Sequence, residues 1–319
     1  MQGLITVVGG SGFLGRYVVQ QLAEAGARVR VAVRRPNAAL FLKPLGQPGQ
    51  IQLMAADIRN ERHMAAAMHG ADGAVNLVGI LAEGGGRTFT GIQAEGAGIV
   101  ARAAAGAGAR AFVHVSAIGA DAASSSAYGR SKAAGEAAVR AAFASATILR
   151  PSLIFGPEDA FINRFAALAR MAPIMPVVMG DTRFQPVYVV DVASAIVASL
   201  GDPAKFGGHM FALGGPTVYT MRQLLAWILR EIRMNKRLID VPPAVVKLMA
   251  RAGDYLPGLP ITTDQYRMLG RDNVVGAGDA GLEAFGIGAT PLEAIAPAYL
   301  ERYRRYGRFN DRQGSASAA

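Results

Sequence analysis

The 319-residue sequence predicts an α/β fold: a doubly wound parallel sheet with a smaller C-terminal α/β lobe. Three observations predict it. Short apolar runs recur between turn residues, the pattern of strands buried on both faces. Helical patterns separate those runs, so successive strands require crossovers and lie parallel. A cluster of glycines joins the first run to the first helical pattern.

Residues 4–8 (LITVV) form the first strand. A helical pattern follows over 12–25, and Gly26 stops it. Residues 28–33 (RVRVAV) alternate as a second strand and 51–54 form a third. A helix over 60–69 leads to a fourth strand at 73–78 (GAVNLV). The helix over 90–105 carries small residues and can pack close to a sheet. A fifth strand at 111–115 (AFVHV), a helix over 127–143 and a sixth strand at 146–149 complete the alternation. Strand twist makes the crossovers right-handed.

Beyond residue 150 the rhythm loosens. Helices are expected over 161–171, over 191–200 after an extended PVYVV, and over 221–233 with Thr220 as N-cap. Prolines 242, 243, 257 and 260 bracket a short helix. Thr290 and Pro291 open a last helix running to about residue 306, kinked at Pro297. The expected division is a first domain over 1–155, a smaller lobe over 156–310 partly interleaved with it, and a disordered tail over 311–319.

Composition narrows the function. Hydrophobic residues make up 51% and charged residues 18%, the balance of a globular chain. There are no cysteines, which excludes disulfides, zinc–thiolate sites, Cys-ligated clusters and a Cys nucleophile. No metal site is expected. The start of the chain lacks the features of a signal peptide. No apolar run approaches the ~18 residues of a membrane span. The expectation is therefore a soluble or peripheral protein. A net charge of +10 makes nucleic acid, anionic lipid and acidic protein surfaces candidate partners.

The glycine cluster reads Gly9-Gly10-Ser11-Gly12-Phe13-Leu14-Gly15. In a strand–turn–helix context the first spaced glycine permits a tight turn. The second admits a pyrophosphate against the backbone, and the third lets helix and strand pack. Helix N-terminal amides then face the phosphates. This is a Rossmann-type dinucleotide site over residues 1–155. An acid at the end of the second strand would favour NAD; Arg34 and Arg35 stand there instead, and guanidinium groups suit a 2′-phosphate. NADPH is the expected cofactor, against the alternative of two solvated arginines. Asp57 and Ile58 are candidate adenine contacts by position. Leu77, Val78 and Gly79 are placed to line the ribose channel.

The sequence resembles the extended and atypical short-chain dehydrogenase/reductases over nearly its whole length. The resemblance rests on GGSGFLG, VHVSAIGA, Tyr128-x-x-x-Lys132, RPSLIFGPEDAF at 150–161 and RFQPVYVVDVASAI at 183–196. It implies roles for Tyr128 and Lys132. The lysine would hold the nicotinamide ribose and lower the tyrosine pKa, and the tyrosine would exchange a proton with substrate. It implies cofactor contacts from Val115 and Ser116 at the end of the fifth strand. It also implies that Pro151, Leu153 and Ile154 cover the nicotinamide. The polarising Ser or Thr of the family falls on Ala117 here, and Ser116 is one residue out of register. Losing such a donor costs about 10²–10³ in rate. Ser124, Ser125 and Ser126 remain candidates to replace it.

VHVSAIGA, SSSAYGRSKAAGE, LRPSLIFGPEDAFINRFA and QPVYVVDVA together resemble the NADPH-binding accessory subunits of respiratory complex I, the NADH:ubiquinone oxidoreductase. That resemblance implies an accessory subunit without turnover of its own, with a stabilising or assembly role beside other complex I subunits. The expected location is peripheral, on the cytoplasmic face of a bacterial inner membrane, because no transit-like segment precedes the first strand. The alternative is a free-standing NADP-dependent reductase, epimerase or dehydratase acting through Tyr128 and Lys132.

Two segments suggest contact surfaces. Val245, Leu248, Met249 and Ala252 make an apolar helical stripe beside Lys247 and Arg251. The pattern alone favours burial of that stripe in the small lobe over contact with an anionic membrane surface. Near the end, Arg302, Arg304, Arg305, Arg308 and Arg312 interleave with Tyr303, Tyr306 and Phe309. Nucleic acid is not the expected partner, since no recognised nucleic-acid module accompanies them.

Overall fold

The computed structural model describes residues 2–256, 261–305 and 307. The chain runs β1 (Leu4–Val8), α1 (Phe13–Glu24), β2 (Arg28–Val33), β3 (Ile51–Ala55), α2 (Glu61–Met68), β4 (Gly73–Asn76), α3 (Gly96–Gly106), β5 (Ala111–Val115), α4 (Ala127–Ala142) and β6 (Thr147–Pro151). It continues with β7 (Ile154–Phe155), α5 (Phe161–Met171), β8 (Met175–Val177), β9 (Arg183–Phe184), β10 (Val187–Tyr188), α6 (Val189–Gly201), α7 (Pro203–Phe206) and β11 (Met210–Leu213). Then come β12 (Tyr219–Thr220), α8 (Met221–Glu231), β13 (Leu238–Asp240), α9 (Pro243–Gly253), α10 (Thr263–Leu269) and α11 (Leu292–Leu300). Two compact units result. One takes in residues up to 152, 189–214 and 275–289; the other takes in 153–188, 215–274 and the described residues from 290 on.

The first unit holds a seven-stranded sheet in the order β11-β6-β5-β4-β1-β2-β3. Every pairing in it is parallel. Val7, Val31, Val75 and Val113 in its central strands are fully buried, as strands covered on both faces must be. One face packs the small residues Ala97, Val100, Ala101 and Ala104 of α3 with Phe112 and Val139. Burying a side chain the size of Phe112 stabilises by roughly 1.5–3 kcal/mol. α1 packs with α6.

Sequence and structure differ at several places in this unit. β11 is a seventh strand that the expected six did not include; its MFAL run is short and pairs with β6 at the sheet edge. β4 ends at Asn76 instead of residue 78, because the Asn76 side chain takes the amide of Val78 at 3.1 Å. The helix expected over 90–105 opens as a π-helical turn, Thr90–Glu95, before α3 begins.

The second unit is built round α5 and α8, with Phe155, Ile162, Trp227 and Ile228 in its core. Thr220 caps α8, and Gln223 completes a reciprocal capping box. α11 ends at Leu300 and gives way to a 3-10 turn at Glu301–Tyr303, short of the expected helix to 306; Pro297 lies inside it. The expected burial of the α9 stripe is corrected. Val246 and Ala250, one turn apart, face the local core with Ile261, whereas Val245 and Leu248 stay 46% and 69% exposed. The helix has turned by roughly one residue step, about 100°, because Val246 and Ala250 fit a pocket lined by Val178, Val241, Tyr266 and Leu269. Pro257, Pro260, Tyr306, Arg308, Phe309, Arg312 and the expected disordered tail over 311–319 lie outside the described residues.

Candidate functional site

The chain leaves β1 outward to β2 and β3, then returns to β4 on the other side of β1. In open parallel sheets such a reversal leaves a crevice at the carboxyl ends of the strands, and the glycine loop opens there. Gly9 has φ +86, a conformation that favours glycine. A Cβ on Gly15 would lie 2.6 Å from the backbone of Gly10, so only glycine allows α1 this close. A Cβ on Gly12 would meet nothing within 4 Å except the Gly9 carbonyl, at 3.3 Å. The loop is thus tight on its protein side and open at Gly12. α1 carries no side-chain cap and no acid in its first turn. A diphosphate fits this arrangement: it would meet helix amides at the positive end of α1 with no carboxylate opposing it. Ser11 and Phe13 are half-buried on the loop, while Leu14 is buried beneath it.

Arg34 and Arg35 are exposed at the end of β2. The charge of Arg34 acts on the Asp57 carboxylate that follows β3. Ile58 is buried in the core beside Gly96. Leu77 extends the β4 line with its amide on the Val8 carbonyl at 3.0 Å. A Cβ on Gly9 would touch Val78, and one on Gly79 would lie 3.3 Å from the Lys132 ammonium. The glycine loop, the end of β4 and the tyrosine–lysine helix therefore converge. Pro151 is buried at the end of β6; Leu153 and Ile154 belong to the second unit.

On α4, Tyr128 and Lys132 are one turn apart. The Lys132 ammonium is buried, donates to the Val115 carbonyl at 3.3 Å and stands 5.9 Å from the Tyr128 ring centre. Burial pulls Lys132 down to about 8 while the Glu136 carboxylate opposes that shift. Desolvation pushes the Tyr128 hydroxyl up to about 12, opposite to the lowering that the family role implies. Phe89 packs edge-on against the Tyr128 ring at 5.9 Å. The Ser116 hydroxyl is buried without a hydrogen-bond partner. Ser126 accepts the Gly129 amide as the α4 N-cap, and Ser124 accepts the Ser126 amide at 3.2 Å. Both hydroxyls are therefore engaged in building the start of α4. Ser125 is exposed.

Sequence reasoning missed four contributors. Glu136, one turn past Lys132, is buried and forked by Arg150 at 2.8 and 2.6 Å. Continuing the four-residue spacing from Tyr128 would have found it. Gln93 donates to the Ser131 hydroxyl at 2.9 Å, and its own buried carbonyl oxygen lacks a partner beside Gly79. His114 pairs with Asn76 at 3.3 Å across β4 and β5. Arg59 forks Asp57. Nothing local marks Gln93 or His114, since their partners lie far off in sequence. No group of three His, Asp or Glu gathers as a metal site among the described residues.

Residues 5–214 match the model of the NAD dependent epimerase/dehydratase family. The chain is similar to a mitochondrial protein of Arabidopsis thaliana named NADH dehydrogenase (ubiquinone) 1 alpha subcomplex subunit 9, at 35% identity over 316 residues, 95% of this chain and 78% of that one. The Mus musculus protein of the same name is 34% identical over 304 residues, 94% of this chain and 80% of that one. Among solved structures, the crystal structure of gox2253 superposes with a TM-score of 0.73 at 18% identity, covering 96% of this chain and 99% of that one. That likeness is one of fold. The expected location on the cytoplasmic face of a bacterial inner membrane is overturned, since both relatives are mitochondrial by name. The expectation leaned on how the chain begins, and these relatives are longer than what the chain covers of them. No helix among the described residues is long and apolar enough to cross a membrane.

Proposed function

Because the chain belongs to the NAD dependent epimerase/dehydratase family, we propose that it is a nucleotide-holding accessory subunit of respiratory complex I, with NADPH as its nucleotide. The names of the relatives support the complex. The observation that carries the noncatalytic part is Ala117, which stands where a polarising hydroxyl is needed; burial also pushes the half-buried Tyr128 hydroxyl up to about 12. A phenol so hard to ionise is a poor proton relay near neutral pH.

A bound NADPH would supply a transferable hydride; the residues of this chain hold the nucleotide. Gly9, Gly10, Ser11, Gly12 and Gly15 shape the diphosphate cradle, with Phe13 and Leu14 at the opening of α1. Arg34 and Arg35 receive the 2′-phosphate. Asp57 and Ile58 border the adenine side, and Leu77, Val78 and Gly79 line the ribose. Lys132 donates to the nicotinamide ribose, with Val115, Ser116, Tyr128 and Pro151 around it. Binding to the folded state alone stabilises it by about 2.7 kcal/mol at a hundredfold excess over Kd.

The test is the company the protein keeps. Membranes carrying it are solubilised in mild detergent, native complexes are separated, and nucleotide is extracted from the band. Comigration with NADH dehydrogenase activity and recovery of NADPH are expected. A wholly soluble pool without that activity would overturn the proposal.

A second reading is a free-standing NADP-dependent reductase, epimerase or dehydratase. The retained Tyr128 and Lys132, one turn apart, favour it. Turnover of a carbonyl or sugar-nucleotide substrate, abolished by Tyr128→Phe, would establish it. The exposed face of α9 supports an anionic membrane surface as a further partner, because Val245, Leu248 and Met249 are exposed beside the exposed cations Lys247 and Arg251.

A further inference from the structure

Asp159 stands just ahead of α5 and is buried. Its Oδ1 accepts the Ile162 and Asn163 amides at 2.6 and 3.3 Å, and its Oδ2 accepts the Gly156 amide at 3.4 Å. A carboxylate suits that place, because the first amides of a helix find no partner within it. Asn163 ties the same stretch: its Nδ2 donates to the carbonyls of Pro157 and Asp159 at 3.2 and 2.9 Å.

A second set of contacts comes from 140 residues further along, within the same unit. The Tyr299 hydroxyl donates to Asp159 Oδ2 at 3.0 Å, and its oxygen takes the Gly156 amide. The Tyr303 hydroxyl donates to Asn163 Oδ1 at 3.0 Å. Arg302 donates to the same oxygen and, at 2.8 Å, to the Pro157 carbonyl, with its guanidinium 5.2 Å from the Tyr303 ring centre. Arg302 and Tyr303, which the sequence offered as part of a contact surface, therefore turn their polar groups onto the protein's own loop. Burial raises the pKa of the Asp159 carboxyl, and the Tyr299 hydroxyl is the first of the donors that oppose the rise. The anion that gathers three loop amides is thus held ionised in part from α11.

The polar contacts of this segment are separable from its apolar anchorage. Leu292, Ala296 and Leu300 lie in the core of the second unit and keep α11 seated there. The loop has no such anchor between Gly156 and Ala160, where no large apolar side chain occurs. A segment held mainly by polar contacts opens at a fraction of the cost of global unfolding.

We propose that the turn Tyr299–Tyr303 is a strap that locks residues 156–163 in one conformation, and that releasing it opens this loop without unfolding the lobe. Tyr299 acts through Asp159 and Gly156 and is a positioning residue.

Hydrogen–deuterium exchange is followed in the full chain and in its Tyr299→Phe, Tyr303→Phe and doubly substituted forms, with thermal melting as the check on folding. Both substitutions keep the ring and remove only the hydroxyl. Tyr299→Phe should speed exchange over 156–163 by about tenfold, the loss of one hydrogen bond to a charged group. Tyr303→Phe should speed it about threefold, since its partner is neutral. The double form should be at least as fast as Tyr299→Phe, and α8 should keep its rate in all of them. Should Tyr299→Phe fail to fold, Tyr303→Phe is judged alone by the same two regions. Unchanged exchange over 156–163 overturns the proposal. So does an equal acceleration in α8, which would make the turn a general support of the lobe.

Discussion

The Lys132 ammonium donates to the carbonyl of Val115, joining the middle of α4 to the last residue of β5 at 3.3 Å. The lysine is thereby parked at the carboxyl end of the sheet, beside Gly79, with its tyrosine neighbour one turn behind.

On the proposed function, a parked ammonium with hydrogens to spare would clamp the nucleotide. Lys132→Ala should weaken NADPH binding by roughly tenfold or more, the loss of a charge-assisted hydrogen bond. Tyr128→Phe should leave binding within about threefold, since the phenol adds one neutral contact. Equilibrium titration checks both. Equal losses from the two substitutions would contradict the clamp.

Glu136 sustains that charge. Its carboxylate raises the Lys132 pKa against burial, and Arg150 holds it in place. Glu136→Gln removes the negative neighbour, so the lysine should lose its proton at lower pH than about 8. NADPH affinity should then fall off earlier as pH rises. The variant should also lose about 1–2 kcal/mol of stability, because the Arg150 fork keeps only a neutral acceptor. Affinity profiles from pH 6 to 9, superimposable for parent and variant, would refute the coupling.

His114 predicts acid lability. Burial first, then the Lys132 charge, lowers its pKa from 6.5 to about 3. The unfolded chain therefore binds a proton that the folded chain refuses between those values. Stability from this group is fully present above pH 6.5 and is lost as pH falls toward 3, at a limiting slope of about 1.4 kcal/mol per unit. Denaturant unfolding of the nucleotide-free protein at pH 7 and 4.5 should show the drop. His114→Gln should flatten it, and an equal drop in that variant would assign it elsewhere.

The α9 face predicts lipid binding. The protein should cosediment with vesicles containing anionic lipid more than with neutral ones. Leu248→Asp should reduce that cosedimentation several-fold while leaving the melting temperature nearly unchanged, since Leu248 is 69% exposed. Equal binding of parent and variant would exclude this face.

The legible parts of the molecule were the local ones. Gly9, Gly12 and Gly15 announced a tight turn because their spacing meets a backbone requirement. Thr220 announced a helix start because an N-cap acts within its own first turn, and Gln223 completes the box in the structure. The α9 stripe misled, since Val245 and Val246 are both apolar and only the pocket around Val246 decides which one is buried. β11 went unseen because four residues at a sheet edge carry too little pattern to stand out.

The sequence by itself determined the doubly wound sheet, the glycine cradle, the paired arginines at 34 and 35 and the facing of Tyr128 and Lys132. All of these follow from spacing along one strand or one helix. Tertiary structure alone decided the electrostatics. Whether Lys132 is buried, whether Glu136 meets Arg150 and whether the Tyr128 hydroxyl is desolvated depend on which segments fold against one another. Desolvation and charge act through space, so the same Tyr-x-x-x-Lys spelling can hold a nucleotide or move a proton.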